Sequence, residues 1–107
     1  MINNNMEVKT FKDLDFKPHS FAKYADKYNY PFNEQYSKAK QTIMYFENGY
    51  GVSVLYGSCF YSNGIDTYEV WILYDGGLTY DTDITDDVMG YLTESEVTDV
   101  MIRVQQL

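Results

Sequence analysis

The stretch Tyr68–Gly90, which reads YEVWILYDGGLTYDTDITDDVMG, holds the most apolar strand pattern of the chain and its densest group of carboxylates. Val70–Tyr74 is a short run of β-branched and aromatic residues, which is typical of a central strand. Asp75, Gly76 and Gly77 follow with the residues that a tight turn needs, so the stretch predicts a strand that ends in a hairpin. Beyond the turn come Asp81, Asp83, Asp86 and Asp87, which predict an acidic surface.

Length and composition indicate one soluble domain spanning residues 1–107. Aromatic residues make up 18% of the chain, and the 12 tyrosines are typical of surfaces that are covered on one side and wet on the other. The only cysteine, Cys59, cannot form an internal disulfide, which suits a reducing cytosol and favours a small buried hydrophobe over a nucleophile. The first residues show neither the basic nor the apolar region of a signal peptide, and no long apolar run follows, so we expect a cytoplasmic protein.

The net charge of -8 is unevenly distributed along the chain. Residues 1–56 hold seven lysines and six acids, whereas residues 57–107 hold one arginine and ten acids. A surface of one sign repels nucleic acid and attracts basic partners. The simpler alternative is that the charge serves only solubility.

In the first half of the chain the patterns are weaker. Residues 6–16 read as an extended segment, although Thr10-x-x-Asp13 could equally begin a short helix, and we favour the extended reading. A short helix is predicted from Ser20 to Tyr30, with an apolar stripe formed by Phe21, Tyr24, Ala25 and Tyr28.

Two Asn-Gly pairs predict hairpins in the middle of the chain. A two-residue type I′ turn at Asn48-Gly49 would pair Tyr45 with Val52 and Ile43 with Val54 on one face of a sheet. A second hairpin is expected at Asn63-Gly64, between a strand at residues 58–61 and the strand that begins at Tyr68. A bulge at Gly57 would decide whether Val70 or Trp71 shares the face of Val54, and the sequence leaves this open.

The last third of the chain ends in the clearest local signal. Leu78–Asp81 is expected to form a short fourth strand, and Ile84–Gly90 resembles one helical turn ended by glycine. Thr93-x-x-Glu96 is a capping box that begins a helix with an apolar stripe, formed by Val97, Val100, Met101, Val104 and Leu107. We therefore predict an α+β fold, namely an antiparallel meander of about four strands with this helix on one face and a short N-terminal helical segment.

Motifs that carry chemistry are weak throughout the sequence. The Asp81–Asp87 cluster offers hard oxygen ligands, but it lacks the glycine at position six and the glutamate at position twelve of a calcium loop. His19, the one histidine, follows Pro18 outside any recognisable nucleophile motif. Lysines interleaved with tyrosines in residues 17–41 could bind single-stranded nucleic acid, but the net charge opposes this. We predict no enzyme, and we assign no catalytic residue, metal ligand or cofactor.

Three segments of the second half of the chain are similar to a group of small acidic proteins encoded by bacteriophages and prophages. These segments are Phe46–Val54, Tyr68–Val70 and Tyr80–Leu92, and the resemblance covers residues 46–107. The group carries no known chemistry, so no catalytic residue is transferred. The resemblance implies a phage accessory protein that acts inside an infected bacterium, where small acidic proteins often inhibit host defence or nucleic-acid enzymes.

These observations lead to two main hypotheses and a third, weaker one. In the first, a set of carboxylates forms a face that docks on a basic, nucleic-acid-binding surface of a host protein, as a DNA mimic or an anti-CRISPR-like inhibitor would. The set comprises Asp66, Glu69, Asp75, Asp81, Asp83, Asp86 and Asp87. In the second, the protein self-associates as a homodimer through the other face of its sheet, using Tyr45, Tyr56 and Trp71. The third is a metal-dependent hydrolase built on the Asp81–Asp87 cluster. Neither main hypothesis requires direct contact with nucleic acid or with a membrane.

Overall fold

An antiparallel sheet forms the centre of the protein in the computed structural model, which describes residues 7–23, 36–85 and 87–107. The strands of these ranges are β1 (Lys17–Pro18), β2 (Lys40–Tyr45), β3 (Tyr50–Tyr56), β4 (Tyr68–Tyr74), β5 (Gly77–Leu78) and β6 (Met89–Leu92). β1 to β4 are neighbours in sequence order, and β5 and β6 both pair with the outer edge of β4. The C-terminal helix (Glu94–Gln105) follows β6, so the predicted α+β meander is confirmed.

One face of the sheet packs against the C-terminal helix to form the core. The buried side chains of this core come from both elements: Val52, Val54, Tyr68, Val70, Ile72, Val97, Val100, Met101 and Val104. Burying each large aliphatic side chain contributes about 1.5–3 kcal/mol, so this layer is the main source of stability. Leu107, the last residue of the predicted stripe, is 43% exposed because the helix ends before it.

The capping box that begins the C-terminal helix is confirmed. The Thr93 hydroxyl accepts from the backbone N–H of Glu96 at 3.3 Å, and the Glu96 carboxylate accepts from the N–H of Thr93 at 3.0 Å. Two otherwise unpaired backbone donors are satisfied, and the acidic first turn complements the helix dipole.

The predicted register of the β2–β3 hairpin is wrong by one residue. Tyr45 pairs with Gly51 and Met44 with Val52, which leaves the three-residue loop Glu47–Gly49. In this loop Gly49 alone has a positive φ, of 87°, as expected for a type I turn followed by a glycine bulge. Thr42 and Met44 therefore share the core face with Val52 and Val54, while Ile43 and Tyr45 lie on the opposite face.

The turn after β4 is a two-residue turn, the form that the sequence predicts instead for Asn48-Gly49. Asp75 and Gly76 both have positive φ, of 51° and 85°, and Tyr74 pairs directly with Gly77. The β3–β4 register is continuous, and Val70 stands opposite Val54. Val70 therefore faces the helix and Trp71 the other side, which answers the question that the sequence left open at Gly57.

The second predicted hairpin is wrong, because residues 57–67 form an irregular loop with no strand at residues 58–61. Its Asn63 carboxamide oxygen accepts from the backbone N–H groups of Ile65, Asp66 and Thr67 at 2.8–3.1 Å. The Ser62 hydroxyl accepts from Gly57 N–H at 3.2 Å and donates to Thr67 C=O at 2.6 Å. These side chains make the hydrogen bonds to the loop backbone that a neighbouring strand would otherwise make.

Three further expectations need correction. Phe11–Asp13 forms a 3-10 helix rather than an extended segment, and Thr10 with Asp13 makes the alternative capping box. The fourth strand comprises only Gly77–Leu78. Gly90 lies inside β6 and does not end a helical turn.

Of the predicted helix at 20–30, residues 20–23 are helical, whereas Tyr24, Ala25 and Tyr28 lie outside the described residues.

Candidate functional site

The acidic segment after β5 leaves the sheet and returns to the same strand edge. Leu78 pairs with Leu73, and the N–H of Thr79 donates to the C=O of Ile72 at 2.9 Å. The chain rejoins the same edge of β4 at Met89, which pairs with Val70, two residues before Ile72 in the strand. Because a strand rises about 3.3 Å per residue, the two attachment points are only about 7 Å apart. We call residues 80–88 the acidic excursion; Asp86 within it lies outside the described residues.

The acidic excursion turns its isoleucine toward the core and exposes three of its aspartates. Ile84 is partly buried and packs against the core, whereas Asp81, Asp83 and Asp87 are exposed. Inward apolar contact fixes the loop to the sheet, so the carboxylates are not needed to hold it there.

Threonine hydroxyls make most of the polar contacts that shape the acidic excursion. Thr79 accepts from the N–H of Asp81 at 3.1 Å, Thr82 from Ile84 at 3.2 Å, and Thr85 from Asp87 at 3.1 Å. Turns in which a threonine hydroxyl bonds the backbone N–H two residues later are common in loops. Among the described residues, the carboxylate of Asp87 accepts from the N–H of the next residue alone, at 2.7 Å.

Within the described residues, the exposed carboxylates of the second half of the chain form no ion pair. In the described ranges, ion pairs join Glu7 to Lys9 at 3.8 Å and Asp15 to Lys17 at 3.6 Å, and none involves the acidic excursion. The sequence has no lysine or arginine between residues 57 and 102 that could lie beside it in the chain. A local field of negative sign follows.

Two other predicted acids lie along the same strand, at opposite ends. Asp75 is exposed at the turn after β4, and Asp66 is exposed just before β4, where it accepts from the Asn63 carboxamide at 2.7 Å. The seven-residue strand between them is about 20 Å long. The acidic groups are therefore spread along the length of β4, with their densest group in the acidic excursion.

Glu69 does not belong to an exposed acidic face, and its prediction as a partner-binding residue is corrected. Its side chain is 4% exposed. One carboxylate oxygen accepts from the backbone N–H of Tyr61 at 2.8 Å, and the other accepts from the indole N–H of Trp71. This carboxylate attaches the 57–67 loop to β4 and is unavailable to a partner.

The three aromatic residues predicted for self-association do not form one surface. Tyr45 is 46% exposed on the face opposite the helix. Tyr56 lies on the helix side and donates its hydroxyl to the C=O of Gly64 at 2.7 Å. Trp71 is half-buried with its indole bonded to Glu69. Self-association itself stays a prediction, and only Tyr45 of this set is freely accessible.

The two side chains most often used as nucleophile or base, Cys59 and His19, are both partly buried. Burial raises the pKa of the Cys59 thiol, which disfavours its reactive thiolate form. Burial lowers the pKa of His19, whose Nδ1 accepts from the backbone N–H of Phe21 at 3.0 Å. Throughout the described ranges, no three His, Cys, Asp or Glu side chains are grouped so that they could share a metal ion.

Comparisons of the chain with protein-family models, with curated proteins and with solved structures gave no match. In the part of the chain that the structure describes, no helix has the length and apolar character of a membrane span. The interpretation of the site therefore depends on its own geometry.

Proposed function

We propose that the protein is a non-catalytic phage accessory protein that acts in the cytoplasm of an infected bacterium. Its acidic excursion docks on a basic surface of a host protein, of the kind that binds nucleic acid. The observation that carries this proposal is that Asp81, Asp83 and Asp87 are exposed and free of ion pairs within the described residues, while threonines hold the loop. Inhibition of a host defence enzyme, as an anti-CRISPR-like protein would achieve, is one concrete form of this function.

Electrostatics supports docking of this kind. The three exposed carboxylates of the described part of this loop raise the local concentration of a basic partner and speed its association. Duplex DNA carries one charge per about 1.7 Å, so the acidic excursion resembles a short run of phosphates and not a whole duplex. The contact is then small, and its affinity is sensitive to salt.

Capture from the lysate of the natural host bacterium tests the proposal. The lysate is first treated with nuclease, so that nucleic acid cannot bridge the two proteins. We expect the immobilised protein to retain a basic, nucleic-acid-binding host protein at about 50 mM salt and to lose most of it at about 300 mM, because salt screens exposed charges. Retention of the same partner at every salt concentration would refute docking through charge.

A further inference from the structure

The outer edge of β2 is only partly covered by β1. β1 pairs with β2 through Lys17 opposite Gln41 and Pro18 opposite Lys40. Backbone groups on a strand point alternately to its two sides, so Ile43 and Tyr45 direct their N–H and C=O groups to the same side as Gln41. The N–H of Phe46 donates instead to Tyr50 of β3 at 2.7 Å, which agrees with this alternation. No partner for the outward groups of Ile43 and Tyr45 occurs in the described part of the chain.

The β2 segment of this open edge lacks the features that normally prevent strand addition. Charged side chains, prolines and bulges usually protect exposed edges. Here the segment from Gln41 to Phe46 has no charge and no proline. Ile43 and Tyr45, which share one face, are 54% and 46% exposed. An open groove of about 400 Å³ runs beside the edge, lined by Gln41–Met44 on one side and by Asp13, Asp15, Lys17 and Pro18 on the other.

We propose that β2 pairs with β2 of a second copy of this chain, antiparallel and around a two-fold axis at Met44. Outward-pointing residues must face each other, so Ile43 lies opposite the partner's Tyr45, and Tyr45 lies opposite the partner's Ile43. This register forms four backbone hydrogen bonds. It also brings the exposed isoleucine and tyrosine of each copy into two directly opposed cross-strand pairs, which stabilise neighbouring strands.

The boundaries of the edge favour a second copy over an unrelated peptide. β1 blocks β2 up to Gln41, and the hairpin turn begins at Glu47, so the opening admits a strand of about five residues. Two copies of β2 fit each other's opening because both have the same boundaries. The two-fold axis at Met44 places Phe46 of each copy opposite Thr42 of the other, so each paired segment ends where β1 begins to cover Gln41.

Repulsion between the two acidic chains does not prevent this pairing. β6 and the acidic excursion lie at the opposite edge of the sheet, beyond β3 and β4. With neighbouring strands about 4.8 Å apart, the two β6 strands of the paired sheet are roughly 34 Å from each other. The Debye length is about 8 Å at physiological salt, so the acidic excursions scarcely interact. Salt should therefore leave the dimer intact while it weakens the docking proposed above.

Sedimentation of matched lysine variants tests the pairing. We expect the wild-type protein to be a dimer, Ile43→Lys to weaken dimerisation at least about tenfold, and Ile65→Lys to remain dimeric. Ile65, at 77% exposure in the 57–67 loop, is the control because it receives the same substitution away from the edge. A monomeric wild type at high micromolar concentration, or equal effects of the two variants, would overturn the proposal.

Cysteine crosslinking tests the register even if Ile43→Lys fails to fold. In a Cys59→Ser background, Met44→Cys should form an intermolecular disulfide on mild oxidation, since the two Cα atoms of this non-hydrogen-bonded pair would lie about 4.5 Å apart. Thr42→Cys should not, because the two Thr42 positions would be about 13 Å apart. Crosslinking of Thr42→Cys as efficient as that of Met44→Cys, or no crosslinking of Met44→Cys, would contradict the two-fold axis at Met44.

Discussion

Glu69 and the aspartates of the acidic excursion come from the same acidic half of the chain but have different surroundings. Glu69 is 4% exposed, and both of its carboxylate oxygens accept hydrogen bonds from another part of the protein. Asp81 and Asp83 are exposed, and the loop that carries them is shaped by threonine hydroxyls. The first carboxylate is a structural connection, whereas the others are free for a partner.

This difference shows why the net charge of a sequence does not describe a binding surface. A buried, bonded carboxylate contributes to the free energy of unfolding and adds little to the field outside the protein. Exposed carboxylates of one sign repel each other and do not stabilise the fold. Substitutions should therefore separate the two groups clearly.

The largest effect is expected for Glu69→Ala. This change removes a 4% exposed carboxylate and leaves the N–H of Tyr61 and the indole N–H of Trp71, both in part-buried hydrogen bonds, without their acceptor. Each unsatisfied donor costs about 1–3 kcal/mol, so we predict that the free energy of unfolding falls by about 3 kcal/mol. Urea denaturation measures it, and Glu69→Gln, which keeps one acceptor oxygen, should lose less. A loss below about 1 kcal/mol for the alanine variant would mean that the buried carboxylate is not structural.

An intermediate effect is expected at Gly90, where β6 meets the loop that Glu69 holds. A Cβ atom at Gly90 would lie 2.7 Å from the Cβ of Tyr61, so the loop or the strand must move. Gly90→Ala should therefore reduce the free energy of unfolding by about 1–3 kcal/mol.

Gly77→Ala is the matched control for Gly90→Ala, because its nearest neighbouring atom is 4.0 Å away. Its effect should stay within about 0.5 kcal/mol. Equal losses for the two alanine variants in the same urea titration would rule out close packing as the cause.

The smallest effect on stability is expected for the combined change Asp81→Asn, Asp83→Asn and Asp87→Asn. These side chains make no ion pair in the described residues, so thermal unfolding should show a change within about 0.5 kcal/mol, or a slight gain from reduced repulsion. A loss of several kcal/mol would place these carboxylates in the same structural class as Glu69.

Local sequence signals predicted those parts of the fold that depend on neighbouring residues. Thr93 and Glu96 are three residues apart and bond each other's backbone, and Asp75-Gly76 forms its turn within four residues. The predicted two-residue loop at Asn48-Gly49 is wrong because this residue pair suits both two-residue and three-residue hairpin loops. The Asn48 carboxamide donates to the C=O of Val104 at 2.9 Å, a contact with the end of the helix that the hairpin sequence does not reveal.

The candidate site was predicted in part for a similar reason. The exposure of Asp81 and Asp83 follows from a local run of polar residues. The burial of Glu69 depends on Tyr61, which reaches it through an irregular loop. One signal was present in the sequence: Trp71, two residues after Glu69, lies on the same face of the strand and supplies a donor that needs an acceptor. β6 was missed because Gly90 also fits the end of a helix.

The proposed docking can be measured most directly with the captured host protein in purified form. Calorimetry at several salt concentrations compares the wild type, the excursion variant with three asparagines, and a control with Glu7→Gln, Glu47→Gln and Asp99→Asn. The control removes the same charge from exposed positions elsewhere in the chain. We predict that the excursion variant loses at least about tenfold in affinity and most of its salt dependence, while the control stays close to the wild type. Equal affinity and equal salt dependence in all three proteins would contradict a role of the acidic excursion in binding.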